Sequence, residues 1–287
     1  MNYEEVIEFM FNSLPMYQRI GQAAYKADLK NTFLLDDYTG NPHKEFKAIH
    51  VAGTNGKGSV SHSVASVLQE AGYKTGLYSS PHLIDYRERI RVDGQMIDKE
   101  YVCNFINRNK GIIDEIKPSF FEMSVALAFC YFRDCKVDVA VVEVGMGGRL
   151  DSTNIILPEL SVITNIGLDH TQFLGDSLEK IAAEKAGIIK MGVPVVIGEK
   201  HTQTENVFKA FAKENNAEIV FASEQFQTQI TNSHEGFSSF LVRDSNNNSF
   251  EIEFGLSGKY QEKNLATILE TIQQLRAKGF KITDESL

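Results

Sequence analysis

Residues 49 to 60 run Ile-His-Val-Ala-Gly-Thr-Asn-Gly-Lys-Gly-Ser-Val, with three glycines, a lysine and a serine in the seven positions from Gly53 to Ser59. An apolar stretch, Ala48 to Val51, leads into this turn, and a helical pattern begins after Lys57. In a strand, glycine turn and helix N-terminus of this kind, successive backbone N–H groups converge on anionic oxygens and the helix dipole adds positive potential. Lys57 is placed to reach outer phosphates, and Ser59 to offer its hydroxyl to Mg²⁺. The standard phosphate-loop pattern is not matched in full: Gly58 separates the lysine from the serine, and Val51 stands where a first glycine would fall. A plain glycine-rich turn is the alternative, but few such turns combine these residue types between a buried strand and a helix. The expected chemistry is binding of a nucleoside triphosphate.

Further candidates lie downstream. Glu143 ends an apolar run, Val137 to Val144, and is followed by Gly145, Gly147 and Gly148. A carboxylate at the carboxyl end of a parallel strand, beside a phosphate cradle, is the expected second holder of a nucleotide-bound Mg²⁺. The glycines favour that over a solvent-facing acid, because they let backbone approach a ligand. His170, after Asp169, is either a second metal ligand or a structural histidine. Lys185 falls on a helix and reads by itself as a solvated lysine. Arg87, Arg89 and Arg91 follow Ser80-Pro-His-Leu83 in one loop, where they either bind an anion or pair with neighbouring acids.

The elements that must position these residues alternate between strands and helices, the pattern of a doubly wound, mostly parallel α/β sheet. Residues 1–45 read as a helical preamble and a polar loop ending at Asn41-Pro42. Helices are expected over Ser59 to Ala71, Lys99 to Glu115, Phe120 to Phe132, Leu178 to Lys190, Glu205 to Asn215 and Gln261 to Lys278. Strands are expected over Lys74 to Ser79, Leu160 to Asn165 and Val193 to Ile197, with a small hairpin around Asp93-Gly94. Past residue 216 the texture shifts to a small antiparallel region (216–255), with strands over Glu218 to Ala222, Phe237 to Arg243 and Ser249 to Phe254. The net charge of −9 on 287 residues argues against nucleic acid as the main partner. No apolar run reaches the roughly 18 residues of a membrane helix, and because the N-terminus carries Glu4, Glu5 and Glu8 and lacks a basic region before an apolar one, no signal peptide is expected. Cys103, Cys130 and Cys135 lack metal-site spacing and read as reduced thiols, so a cytoplasmic location is expected. The expected state is a monomer.

Taken together, Gly53 to Ser59, Ser80 to Leu83 with Glu88 to Arg91, Glu143 to Asn154, Gly167 to His170 and Glu184 to Ile188 resemble, in order and over nearly the whole chain, the folylpolyglutamate synthase and dihydrofolate synthase family, relatives of the Mur ligases. The resemblance implies an ATP-dependent ligase that joins L-glutamate to a folate or dihydropteroate carboxylate through an acyl phosphate. It implies that Asn55, Gly56, Lys57 and Gly58 wrap the ATP phosphates and that Asn264 contacts adenine. One Mg²⁺ would rest on Ser59, Ser80 and Glu143, and a second on His170 and Lys185, typically carbamylated in this family. Lys57, Lys185 and His170 would be the catalytic groups, and Phe121, Asp151 and Ser152 would line the pterin pocket. A Mur-type peptide ligase and a non-catalytic nucleotide-binding module are the alternative readings.

Two departures qualify the resemblance. Tyr260 stands where the family usually has His, and the family's Asp-Gly-Ala-His-Asn-type segment has no counterpart. Residues 1–280 are therefore expected to form the ATP-binding domain, with 281–287 opening a glutamate-ligase domain that the sequence does not continue. ATP binding is expected to be weak, and ligation by the 287 residues alone slow or nil.

Overall fold

The computed structural model of the chain describes residues 1–15, 28–234 and 236–287. Residues 16–27 of the expected helical preamble lie outside the described residues. On either side of them are α1 (Tyr3–Ser13), opened by an Asn2/Glu5 capping box, and α2 (Lys30–Tyr38).

The main sheet has eight strands. β1 (Lys47–Ala52), β2 (Thr75–Tyr78), β5 (Val139–Glu143), β6 (Leu160–Ile163), β7 (Val195–Ile197) and β8 (Ile219–Phe221) run parallel. β3 (Ile90–Val92) and β4 (Gln95–Met96) add an antiparallel edge. The order is β4-β3-β2-β5-β1-β6-β7-β8, so β1 lies between β5 and β6. The turn joining β3 to β4 has positive φ at Asp93 and Gly94, the left-handed pair a tight hairpin needs.

Strand side chains alternate across the sheet. Ile49 and Val51 pack with Val60, Val64 and Leu68 of α3 (Lys57–Glu70) on one face. Ala48 faces the other way, towards a second core. That core includes parts of α4 (Lys99–Arg108), α5 (Lys110–Ile116) and the long α6 (Phe120–Cys135), which a Ser119/Glu122 capping box opens. The single helix expected over Lys99 to Glu115 is broken at Asn109, whose side-chain amide donates to the Phe105 carbonyl. A third core joins Ile163 to α8 (Leu178–Ala186) and α9 (Glu205–Glu214). Each fully buried Leu, Ile or Val contributes about 1.5–3 kcal/mol, so these layers hold the strand ends firmly.

The fold class read from the sequence is the one observed, with differences in detail. Residues 219–221, expected in the antiparallel region, are β8 of the main sheet, because α9 returns the chain parallel to β7. After α10 (Ala222–Gln225), the small sheet is β9 (Phe226–His234), β10 (Phe237–Asp244) and β11 (Ser249–Phe254), in the order β11-β10-β9. Phe226, Phe240 and Val242 bind it to Leu265, Ala266 and Leu269 of α11 (Gln261–Ala277). α8 stops at Ala186, short of the expected Lys190. Among the described residues no helix is long and apolar enough to cross a membrane, and the three cysteines are free.

Candidate functional site

The chain leaves β1 towards β2 on one side and later returns to β6 on the other. The carboxyl ends of β1, β5 and β6 therefore flank a topological switch point, the place where open parallel sheets bind ligands. Gly53 lies flush against the end of β6: its φ is 146°, and a Cβ there would fall 1.8 Å from Thr164 Oγ1. Asn165 braces the turn, accepting the Thr54 N–H at its carbonyl (2.9 Å) and the Asn55 N–H at Oδ1 (2.8 Å). Gly56, with φ 80°, opens α3, and among the described residues no side chain caps that helix. Its first-turn N–H groups thus have no intrahelical acceptor.

Two amines converge on one carbonyl. Lys57 Nζ donates to Gly53 O at 3.0 Å and to Thr54 O at 3.2 Å, and Lys185 Nζ donates to Gly53 O at 3.0 Å. Lys185 is buried, and burial, followed by repulsion from Lys57, lowers it to about 7 against the opposing pull of Asp169 and Asp151. Glu143 is also buried. Burial raises it to about 7, opposed by Lys57 and by the Ser80 N–H, which donates to Oε2 at 3.3 Å. An anion or cation entering this crevice meets groups poised to exchange protons or charge near neutrality.

Ser59 faces α11, its hydroxyl 3.4 Å from Gln261 Nε2. Asn264 donates to Gln261 Oε1 (2.8 Å) and presses its Oδ1 to within 2.2 Å of where a Gly56 Cβ would stand. Asn55, Gly56, Ser59, Asn165, Tyr260 and Asn264 help line a cleft of about 760 Å³, a size suited to a nucleotide-scale ligand. An ion pair, Lys263 to Glu199 at 2.6 Å, lies along the same cleft. His170 sits at the N-cap of α7 (Thr171–Leu174), exposed, with Nε2 3.7 Å from Asp169 Oδ2.

The second glycine loop is braced by its own side chains. Asp151 Oδ2 accepts the N–H groups of Gly145 and Met146, both at 2.9 Å, and Oδ1 accepts the Thr153 N–H and hydroxyl. Both carboxylate oxygens are thereby engaged within the loop. Ser152 is buried in the short 3₁₀ turn Ser152–Ile155. Asn154 donates to the Arg149 and Gly187 carbonyls, and the Arg149 N–H reaches Glu184 O at 2.8 Å, so the loop grips the end of α8 that carries Lys185. Phe121 lies against Gly145, where a Cβ would be 2.4 Å from the ring.

The arginine loop resolves in favour of internal pairing. Arg87 forks onto Asp85, the buried Arg89 donates to His82 Nδ1 at 2.7 Å and stacks over Phe120, and Arg91 donates to the Glu88 and Gly94 carbonyls. Glu88 in turn accepts the N–H groups of Leu83, Ile84 and Asp85. No group of three or more His, Cys, Asp or Glu among the described residues is arranged to hold a metal. Asn165, Gln261 and Thr153 are site-building residues that the sequence reading passed over. The position of Asn165 at the carboxyl end of a buried strand was the available signal.

An uncapped helix N-terminus behind a glycine turn, with two lysines and a buried carboxylate beside it, defines a nucleotide-binding α/β domain of the phosphate-loop type. The chain belongs to the Mur ligase family, its residues 51–270 matching the Mur ligase middle domain. It is 34% identical over 278 residues to folylpolyglutamate synthase of Lacticaseibacillus casei, covering 94% of this chain and 63% of that one. An FPGS–AMPPCP–folate complex superposes with a TM-score of 0.89 at 32% identity, over 100% of this chain and 70% of that one. E. coli FolC in complex with DHPP and ADP does so with 0.83 at 29% identity, over 100% and 64%. The chain thus spans a little under two thirds of the length of its Lacticaseibacillus relative.

Proposed function

We propose that the chain supplies the ATP-binding and carboxylate-activating part of a ligase that adds L-glutamate to a folate or dihydropteroate. The convergence of Lys57 and Lys185 on Gly53, next to Glu143 and the open end of α3, carries this reading. In the proposed reaction the substrate carboxylate attacks the γ-phosphorus of ATP, giving an acyl phosphate and ADP. The amine of glutamate then attacks the acyl carbon, and phosphate leaves as the amide forms. Asn55, Gly56, Lys57 and Gly58 hold the phosphates, and Lys57 moves from its own carbonyls onto the γ-phosphoryl oxygens. Asn264 holds the base, while Phe121, Asp151 and Ser152 bound the pterin end.

Ser59, Ser80 and Glu143 would hold one Mg²⁺, and His170 with carbamylated Lys185 a second. Such ions would supply positive charge against the anionic oxygens that otherwise repel the attacking carboxylate. An amine held near 7 is unprotonated often enough to take up CO₂, which supports carbamylation of Lys185. The proposed setting is the cytoplasm, with the protein acting as a monomer.

Labelled-glutamate incorporation with MgATP tests the proposal, using dihydropteroate and tetrahydrofolate as acceptors. It should be run on the 287 residues and on the same chain fused to the unmatched remainder of the Lacticaseibacillus relative. Incorporation by the fusion, with weak or no turnover by the 287 residues, is the expected result, and the preferred acceptor names the activity. If neither polypeptide incorporates glutamate, the ligase reading is lost.

A further inference from the structure

His50 lies at the middle of β1, level with Val142 of β5 and Ser161 of β6, and is fully buried. A polar ring in the central strand of a parallel sheet costs about 1–3 kcal/mol unless it is hydrogen-bonded. Its Nε2 is 2.8 Å from Thr153 Oγ1, and its Nδ1 has no partner among the described residues. The Thr153 hydroxyl donates to Asp151 Oδ1, and Asp151 Oδ2 receives the Gly145 and Met146 N–H groups.

The proton directions along this chain follow from counting. A hydroxyl has one proton. With that proton given to the carboxylate, Thr153 Oγ1 can only accept from His50, so Nε2 carries the ring proton and Nδ1 is bare. Burial, with Lys190 nearby, keeps the imidazole neutral by lowering it to about 3. The opposite tautomer would take the Thr153 proton for itself and leave Asp151 one donor short.

We propose that His50 is a positioning residue, which acts through Thr153 to orient Asp151 as the acceptor that fixes Gly145 and Met146 beside Glu143. The connection is continuous from the core of the sheet to the loop that grips the Lys185 helix. Its consequence for catalysis rests on the ligase reading given above, but the hydrogen-bond relay itself does not.

The test therefore measures geometry in the intact chain, without turnover. Nitrogen-15 chemical shifts of the His50 ring should report the neutral Nε2–H tautomer; an Nδ1–H tautomer overturns the proposal. Amide exchange at Gly145 and Met146 should quicken about tenfold in His50→Leu and in Thr153→Val, the loss expected for one hydrogen bond, with β5 amides unchanged. His50→Gln, whose side-chain amide can donate from nearly the same place, should return exchange to within about threefold of the parent. The His50→Leu/Thr153→Val pair should be no faster than either alone, because both cut one relay. Additive effects, unchanged exchange at Gly145 and Met146, or quickening spread evenly over β1 and β5 would each overturn the proposal. Should His50→Leu fail to fold, the parent's tautomer and Thr153→Val still decide it. A failed ligase assay leaves these outcomes untouched.

Discussion

Two glycine-rich loops leave neighbouring strands of this molecule, and they are hydrogen-bonded in opposite ways. The cradle after β1 is open: among the described residues no side chain caps α3, and Lys57 donates to carbonyls of its own turn. The loop after β5 is closed: Asp151 and Asn154 take up its N–H and carbonyl groups, and Arg149 and Gly187 fasten it to α8. Similar composition has therefore been put to two uses, one loop left with open donors and the other satisfied so that it holds the end of the Lys185 helix still. Buried polar groups demand partners, and which partners are missing distinguishes a binding surface from a brace.

The contrast is broken most sharply by removing one key side chain from each loop. Asp151→Ala strands the N–H groups of Gly145, Met146 and Thr153. At about 1–3 kcal/mol for each buried donor left unpaired, with some relaxation, a loss of about 3–5 kcal/mol is expected in urea unfolding. Lys57→Ala should leave the urea midpoint nearly unchanged, since no donor or acceptor in the core depends on it. It should weaken MgATP binding about 10- to 100-fold, the worth of a charge-assisted contact, by calorimetric titration. Equal stability losses in the two variants would show that the open and closed description is wrong.

The charges beside the cradle give a pH test. Glu143 is raised from 4.5 to about 7, so between these values the folded state holds a proton that the unfolded state has lost. Its cost to stability accordingly grows as pH rises from 4.5 to 7 and is complete above 7. Lys185 is lowered from 10.5 to about 7, so there the unfolded state holds the extra proton and stability recovers as pH rises from 7 to 10.5. The ligand-free site is most costly near neutrality. Glu143→Gln should stabilise the free protein by about 2–3 kcal/mol near pH 8 and scarcely at pH 5, while removing the Mg²⁺-dependent gain in nucleotide affinity. Lys185→Met should stabilise below pH 7 and lose that advantage towards pH 10. Unfolding curves for the two variants that run parallel across this range would remove the electrostatic account.

How much of this could be read in advance depended on whether chemistry restricted the residue types. The strands β1, β5 and β6 announced themselves as apolar runs, and the cradle by glycines that few other structures need. β9 was hidden because its sequence is mostly polar, with only Phe226 and Ile230 turned towards apolar neighbours. Lys185 looked like any helical lysine until the fold buried it against Gly53, and His50 passed as one letter in an apolar run. Asp151 was named through family likeness for a pocket, and its second task, holding the loop with both carboxylate oxygens, came to light only with the fold. Sequence spacing shows what a residue could do, but the hydrogen-bond partners that decide what it does come from elements far away along the chain.

The finest test of the open cradle compares two of its glycines. A Cβ at Gly58 meets nothing within 4 Å, and the residue lies in the first turn of α3 with no left-handed φ. Gly58→Ala should therefore stabilise the free protein slightly, by about 0.4–1 kcal/mol, because it restricts the unfolded chain. Gly56 is different: its φ of 80° is left-handed, and its Cβ would meet Asn264 Oδ1 at 2.2 Å. Gly56→Ala should cost about 1–2 kcal/mol in backbone strain and push Asn264 aside. If the empty space at Gly58 is where phosphate oxygens lie, the same methyl that stabilises the free protein must weaken MgATP binding. A Gly58→Ala protein that is both more stable and fully competent to bind nucleotide would mean that the phosphates run along another face of the turn.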